Sequence, residues 1–127
     1  GIECEFSEQM PQQLSGLECE TALFRIFQES LTNVARHSDA TAVNVSLTKQ
    51  NGALVLQIRD NGRGITDKEI GDPHSIGLLG MRERAHIFGG QVSVYGLPGR
   101  GTTVTATIPI NSNSDSGNGN KSRNAGK

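Results

Sequence analysis

The 127 residues predict an α/β (α+β) two-layer sandwich, with a mixed, mainly antiparallel sheet and helices on one face. Three observations carry this. Residues 42–50 and 53–60 alternate apolar with polar side chains around Asn51-Gly52, the turn chemistry of a hairpin. Residues 91–95 and 102–110 form a second such pair, joined by Leu97-Pro98-Gly99-Arg100-Gly101. Before the first pair and between the two pairs, 19–37 and 78–88 repeat apolar residues at helical spacing.

The chain opens with Ile2, Cys4 and Phe6 alternating with Glu3, Glu5 and Ser7, which predicts a short half-buried strand. Residues 8–17 contain Pro11 and Gly16 and read as a loop. Along 19–37, Leu23, Ile26, Phe27, Ser30, Leu31 and Val34 fall on one face of a helix. The other face carries Arg25, Glu29, Asn33, Arg36 and His37, with Glu29 and Asn33 one turn apart. Such a stripe is either a solvated surface or one wall of a site. Asn33 favours the second reading slightly, because asparagine is a poor helix-interior residue.

After the first hairpin, Asp60-Asn61-Gly62-Arg63-Gly64 follows the apolar run 54–59 directly. This pentapeptide is either an ordinary polar turn or a place where a ligand meets bare backbone beside a carboxylate. A carboxylate accepts hydrogen bonds and donates none, so it suits an amino group such as the exocyclic amine of adenine. Residues 65–76 are polar, include Pro73, and are expected to form a mobile loop with one helical turn. Gly77-Leu78-Leu79-Gly80 opens the second helix, which buries Met81, Ala85 and Phe88 and stops at Gly89-Gly90. Residues 1–110 make up the expected domain. From 111 to 127 the chain is mostly Asn, Ser, Gly and Lys, a composition that predicts a disordered tail.

Composition removes several function classes. The net charge of −1 gives no electrostatic case for nucleic acid or for direct contact with an anionic membrane. No apolar run reaches membrane-spanning length, and no signal-peptide pattern opens the chain. The start on Gly1 rather than Met suggests a piece of something longer. Cys4 and Cys19 show no metal-ligand spacing and read as small apolar fillers in a reducing compartment. His37, His74 and His86 are scattered, and neither a nucleophile elbow nor a Walker-type loop is present.

Four features stand in fixed order: Glu29 and Asn33 on one helix face, Asp60-x-Gly62-x-Gly64, Gly77-x-x-Gly80 at a helix start, and Gly99-x-Gly101-Thr102. Together they resemble the ATP-binding domain shared by gyrase, heat-shock chaperones, bacterial sensor histidine kinases and mismatch-repair ATPases, a Bergerat-type fold. Phe24-Arg25-Ile26-Phe27-Gln28-Glu29-Ser30-Leu31-Thr32-Asn33-Val34-Ala35-Arg36-His37-Ser38 and Gly77-Leu78-Leu79-Gly80-Met81-Arg82-Glu83-Arg84 resemble the sensor-kinase subgroup that includes the nitrate and membrane-fluidity sensors.

The resemblance implies a catalytic domain that passes the γ-phosphoryl of Mg-ATP to a histidine on dimerisation helices outside this chain, for relay to a response regulator. It implies a homodimeric parent kinase, with this domain in the cytoplasm and the parent open to membrane anchoring. It further implies that Asn33 binds Mg²⁺ and that Asp60 takes the adenine amine with help from Thr102 through a water. Gly62 and Gly64 would line the adenine pocket, and Gly77 and Gly80 would meet phosphates at a helix N-terminus. Arg36 would contact phosphate, and His37, at a matching family position, would either touch phosphate too or simply end the helix. Glu29 would either handle a proton or order the Mg²⁺ and its waters. Two alternatives on the same fold remain, an anti-sigma-type serine kinase and a non-catalytic nucleotide-binding module.

Overall fold

Strand β3 (Ala53–Asp60) is the centre of the molecule because alternate residues, Leu54, Leu56, Ile58 and Asp60, are all buried on one side. In this computed structural model, residues 3–9, 18–72 and 76–110 are described. Of the loop expected at 8–17, Glu8 and Gln9 instead extend the first strand, whose backbone pairing continues to Gln9; residues 10–17, His74 and the tail at 111–127 lie outside the described residues.

β3 pairs antiparallel with β2 (Ala42–Gln50) on one side and with β5 (Gly101–Pro109) on the other. Beyond β5 lies β4 (Gln91–Leu97), also antiparallel. Beyond β2 lies β1 (Glu3–Gln9), which runs parallel to it, so the five-stranded order is β1-β2-β3-β5-β4. The sheet is therefore mixed and mainly antiparallel, as expected. The first hairpin turns through Asn51 and Gly52, both at positive φ (51° and 77°), the twist that tight hairpins favour. The second differs by a few residues from the sequence reading. β4 continues to Leu97, which pairs with Gly101, and the turn shrinks to Pro98-Gly99-Arg100.

Register puts Val45, Ile58, Val104 and Val94 on one line across the face, and Leu47, Leu56, Ala106 and Val92 on the next. Helices α1 (Glu20–Asn33) and α3 (Leu78–His86) cover this face. Ile26 and Ile108 are fully enclosed, and each such side chain contributes roughly 1.5–3 kcal/mol by leaving water. The reverse face carries exposed Gln57, Arg59, Ser93 and Tyr95, with Thr103, Thr105 and Thr107 half-buried among them.

α1 starts without a side-chain cap, and Glu20 in its first turn complements the helix dipole. Its buried face matches expectation: Leu23, Ile26, Ser30 and Val34 are buried, with Phe27 and Leu31 packed partly against them. The Ser30 hydroxyl is satisfied by the Ile26 carbonyl at 2.9 Å and also meets Met81 Sδ at 3.7 Å, which joins α1 to α3. Cys19 is buried at the helix start, and burial pushes its thiol pKa up, away from reactivity.

The α-helix does not run to His37. It ends at Asn33 and continues as a wider π turn, Val34–Ser38, after which Asp39 takes a left-handed conformation (φ 56°). An extra residue in this last turn rotates Arg36 away from the line through Glu29 and Asn33. α3 ends in a Schellman arrangement, with Gly90 N donating to Ala85 O and Gly89 N to His86 O, so the expected glycine stop is present.

Candidate nucleotide site

β3 delivers Asp60 to the floor of a cleft at its C-terminal end, where it is 7 % exposed. One carboxylate oxygen, Oδ1, accepts from Gly62 N at 2.8 Å and from Thr102 N at 3.3 Å. Oδ2 has no partner among the described residues and is the acceptor left for a ligand. The Thr102 hydroxyl accepts from Ile65 N at 2.7 Å, which leaves its own hydrogen free to donate. Asn61 points the other way and ties β3 to the start of β2, accepting from Thr41 N (2.9 Å) and Ala42 N (3.0 Å).

The loop after Asp60 lies directly on the second hairpin, with Gly99 N donating to Arg63 O at 2.9 Å. Gly64 is glycine for two reasons. Its φ is 84°, and a Cβ there would run into the Leu97 carbonyl, its carbon only 2.7 Å away. The loop then rises into a short helix, α2 (Asp67–Gly71), begun by a full capping box between Thr66 and Glu69. Arg63 grips the same Glu69 with two guanidinium nitrogens, at 3.1 and 2.8 Å. These hydrogen bonds, with that from Thr66 N, hold the Glu69 carboxyl at about 2, well below its ordinary 4.5. The described part of the expected mobile loop is thus a capped, ion-paired element.

Glu29 and Asn33 are not a solvated stripe. Both are half-buried, because the start of α3 lies over them. Asn33 Nδ2 donates to the Ile76 carbonyl at 2.8 Å, and Gly77, left-handed at φ 69°, sits against the Glu29 carboxylate. Asn33 Oδ1 accepts nothing among the described residues.

Of the residues expected from sequence, Asn33, Asp60, Gly64 and Thr102 line one cleft, together with apolar Ile58, Ile65, Ile76, Val94 and Val104. Gly62 is buried beneath it through its bond to Asp60. Glu29 and Gly77 meet each other beside the cleft without lining it. Gly80 lies within α3 with open space where a Cβ would go, so packing does not require glycine there. Arg36 is exposed on the π turn and is not brought to the cleft; the side chain of His37 lies outside the described residues. Sequence reasoning missed Arg63, Glu69 and Ile76. Thr66-x-x-Glu69 was a readable capping signal, whereas the Ile76 contact is made by a backbone carbonyl and leaves no mark in sequence.

A mostly apolar cleft lined also by a buried carboxylate and an asparagine suits a flat heterocycle that carries an amino group. The sequence profile of the histidine kinase-, DNA gyrase B- and HSP90-like ATPases matches residues 18–112, a span that contains every one of these groups. The chain belongs to this ATPase family. Among its relatives, the DegS signal-transduction histidine kinase/phosphatase of Brevibacillus brevis is 40% identical over 87 residues, covering 67% of this chain and 22% of that protein. The VraS sensor protein of Staphylococcus haemolyticus is 43% identical over 86 residues, and the sensor histidine kinase LiaS of Bacillus subtilis 44% over 85. Each covers 67% of this chain and 24% or 23% of the relative, so the chain spans about a quarter of their length. The blue-light activated histidine kinase of Erythrobacter litoralis shares the fold, with a TM-score of 0.72 at 21% identity over 86% of this chain and 35% of that one.

For this ATPase domain, the donor set also bears on a metal. Among the described residues, no three carboxylate, imidazole or thiol groups converge to hold an ion by themselves. A single neutral amide oxygen fits Mg²⁺, which keeps several waters and takes other ligands from a bound polyphosphate. No described helix of the ATPase domain is long and apolar enough to cross a membrane.

Proposed function

We propose that the ATPase domain binds Mg-ATP and serves as the catalytic part of a sensor histidine kinase, transferring the γ-phosphoryl to a histidine on helices outside this chain. The observation that carries the reading is the Asp60 carboxylate, buried, saturated at Oδ1 by two backbone donors and open at Oδ2 into the cleft that Asn33 lines. Relatives 40–44% identical, named as sensor kinases, support the kinase branch over a serine kinase or a silent nucleotide sensor.

Asp60 Oδ2 accepts the adenine amine, Thr102 donates its hydroxyl hydrogen through a water, and Gly62 and Gly64 keep the floor thin. Asn33 Oδ1 would hold Mg²⁺, which supplies charge neutralisation at the phosphates. Gly77 and Gly80 present backbone amides of the α3 N-terminus to the phosphates. Arg36, exposed outside the cleft, adds a cation only where the phosphates extend beyond it, and His37, next in sequence, is a second contact of that kind. The acceptor imidazole nitrogen forms a bond to the γ-phosphorus as the bond to the β,γ-bridging oxygen breaks, and ADP leaves. Glu29 either takes the imidazole proton or orders water near the phosphates. A response regulator receives the phosphoryl group next, and the parent acts as a homodimer with this domain in the cytoplasm.

Calorimetric titration of ATP with and without Mg²⁺ tests the first half. Binding strengthened by Mg²⁺ supports the pocket, and no binding to the folded chain counts against it. Restoring the upstream helices and following radiolabel from γ-labelled ATP tests the second half. Label on an acid-labile phosphohistidine is the expected result, and acid-stable phosphoserine would move the protein to another substrate class.

A further inference from the structure

Three neighbouring residues of α1 each meet the start of α3. Asn33 Nδ2 donates to the Ile76 carbonyl at 2.8 Å. Ser30 Oγ lies 3.7 Å from Met81 Sδ. Glu29 lies against Gly77, so closely that a Cβ at Gly77 would stand 2.7 Å from Glu29 Cδ and 2.8 Å from Oε2. The α3 side of this seam is firmly anchored. Ile76 is 4 % exposed with its side chain in the core, Met81 is 1 % exposed, and the Gly77 carbonyl accepts from Met81 N at 3.0 Å.

We propose that Ile76 and Gly77 are positioning residues: their backbone step fixes which end of the Asn33 amide faces the cleft and where the Glu29 carboxylate lies. The proposal rests on the nucleotide reading above. An amide has one accepting and one donating end, and a carbonyl partner can take only the donating end. The bond to Ile76 therefore engages Nδ2 and leaves Oδ1, which no described residue engages, as the end open to a ligand. Gly77 does the second task by lacking a side chain. The left-handed backbone alone would tolerate asparagine, which visits that region readily. Asparagine would still place a Cβ where Glu29 now lies, and Glu29, a flexible chain end, would be displaced rather than the fold broken.

The first test uses the chain without nucleotide and without substitution. The side-chain NH₂ hydrogens of Asn33 are expected to exchange with solvent about tenfold more slowly than those of exposed Asn44. Equal rates overturn the Ile76 role. In Asn33→Asp an acceptor replaces the donor while a hard oxygen ligand is kept. Exchange of the Met81 amide, which closes the first turn of α3, should then rise about tenfold. Unchanged Met81 exchange in a folded variant also overturns it.

For Gly77, Gly77→Asn is compared in wild-type and Glu29→Gln backgrounds with the phosphoacceptor helices restored, reading kcat apart from KM. A loss of kcat in the wild-type background that vanishes in Glu29→Gln is expected. Equal losses in both overturn the Glu29 half of the proposal. Titrating ATP into the same samples separates the failures. Without ATP binding the nucleotide reading falls, while the exchange results still stand or fall by themselves.

Discussion

Asp60 and Thr102 form a single hydrogen-bonded corner: Thr102 N donates to Asp60 Oδ1, and the Thr102 hydroxyl anchors the loop after Asp60 at Ile65 N. The carboxylate is thus aimed by backbone groups from the loop after β3 and from β5, leaving one oxygen for a ligand. Aiming of this kind carries no side-chain entropy cost at the moment of binding.

Asp60→Asn keeps an oxygen for Gly62 N and Thr102 N but turns an NH₂ toward the ligand's amine. ATP affinity is expected to fall by about 10–100-fold, on the scale of one lost buried hydrogen bond with its donor left facing another donor. The thermal midpoint should move little. Calorimetry with a parallel melting curve checks both, and a large drop in midpoint with unchanged affinity would make Asp60 a structural residue only.

Gly64→Ala combines a positive-φ penalty with a collision against the Leu97 carbonyl. A loss of about 1–3 kcal/mol in unfolding free energy is expected for the strain alone. Urea titration measures it, and a neutral result would show that the loop can lift off the second hairpin.

Glu29→Gln preserves size and removes the charge. Phosphoryl transfer in the helix-restored protein should fall much further than ATP affinity does. If the two fall in proportion, Glu29 serves binding and handles no proton.

The Arg63–Glu69 pair makes α2 sensitive to acid. Glu69 has its pKa lowered in the fold from 4.5 to about 2, so its stabilising contribution is complete above 4.5 and is lost as pH falls toward 2. With rates divided by the intrinsic exchange rate at each pH, protection of the α2 amides should fall across that window, ahead of the core strands. The pair is part-exposed, at 41% and 26%, so added salt should shrink the effect. Glu69→Gln should abolish the pH dependence of that protection, and protection that stays constant from pH 5 to pH 2 in the wild type would remove the pair from this role.

Most of the fold was legible because each strand repeats its apolar residues with period two and each turn uses its own chemistry. Asn51-Gly52 and Gly89-Gly90 behave as their residue types dictate. The Asp60 corner was legible only as a tight turn, since Asp-Asn-Gly suits an ordinary turn as well as a ligand site, and only the resemblance favoured the second. Asn33 and Glu29 looked like surface because what covers them is the backbone at Ile76 and Gly77, and periodicity within one helix says nothing of a second element lying across it. The π turn was hidden similarly. Val34 fits an α-helix, and the wider winding is set by where the chain must go next.

The parallel pairing of β1 with β2 also bears on how the chain acquires its fold. The two hairpins join neighbours in sequence and can form early, whereas β1 must wait for the whole of α1 to be laid down before it meets β2. The cleft draws on α1, β3, the α2 loop and β5 together, so it exists only once α1 has packed on the sheet and β3 has paired with the distant β5. Bound ATP would therefore act as a brake on unfolding for the entire domain, with a melting temperature that climbs with nucleotide concentration.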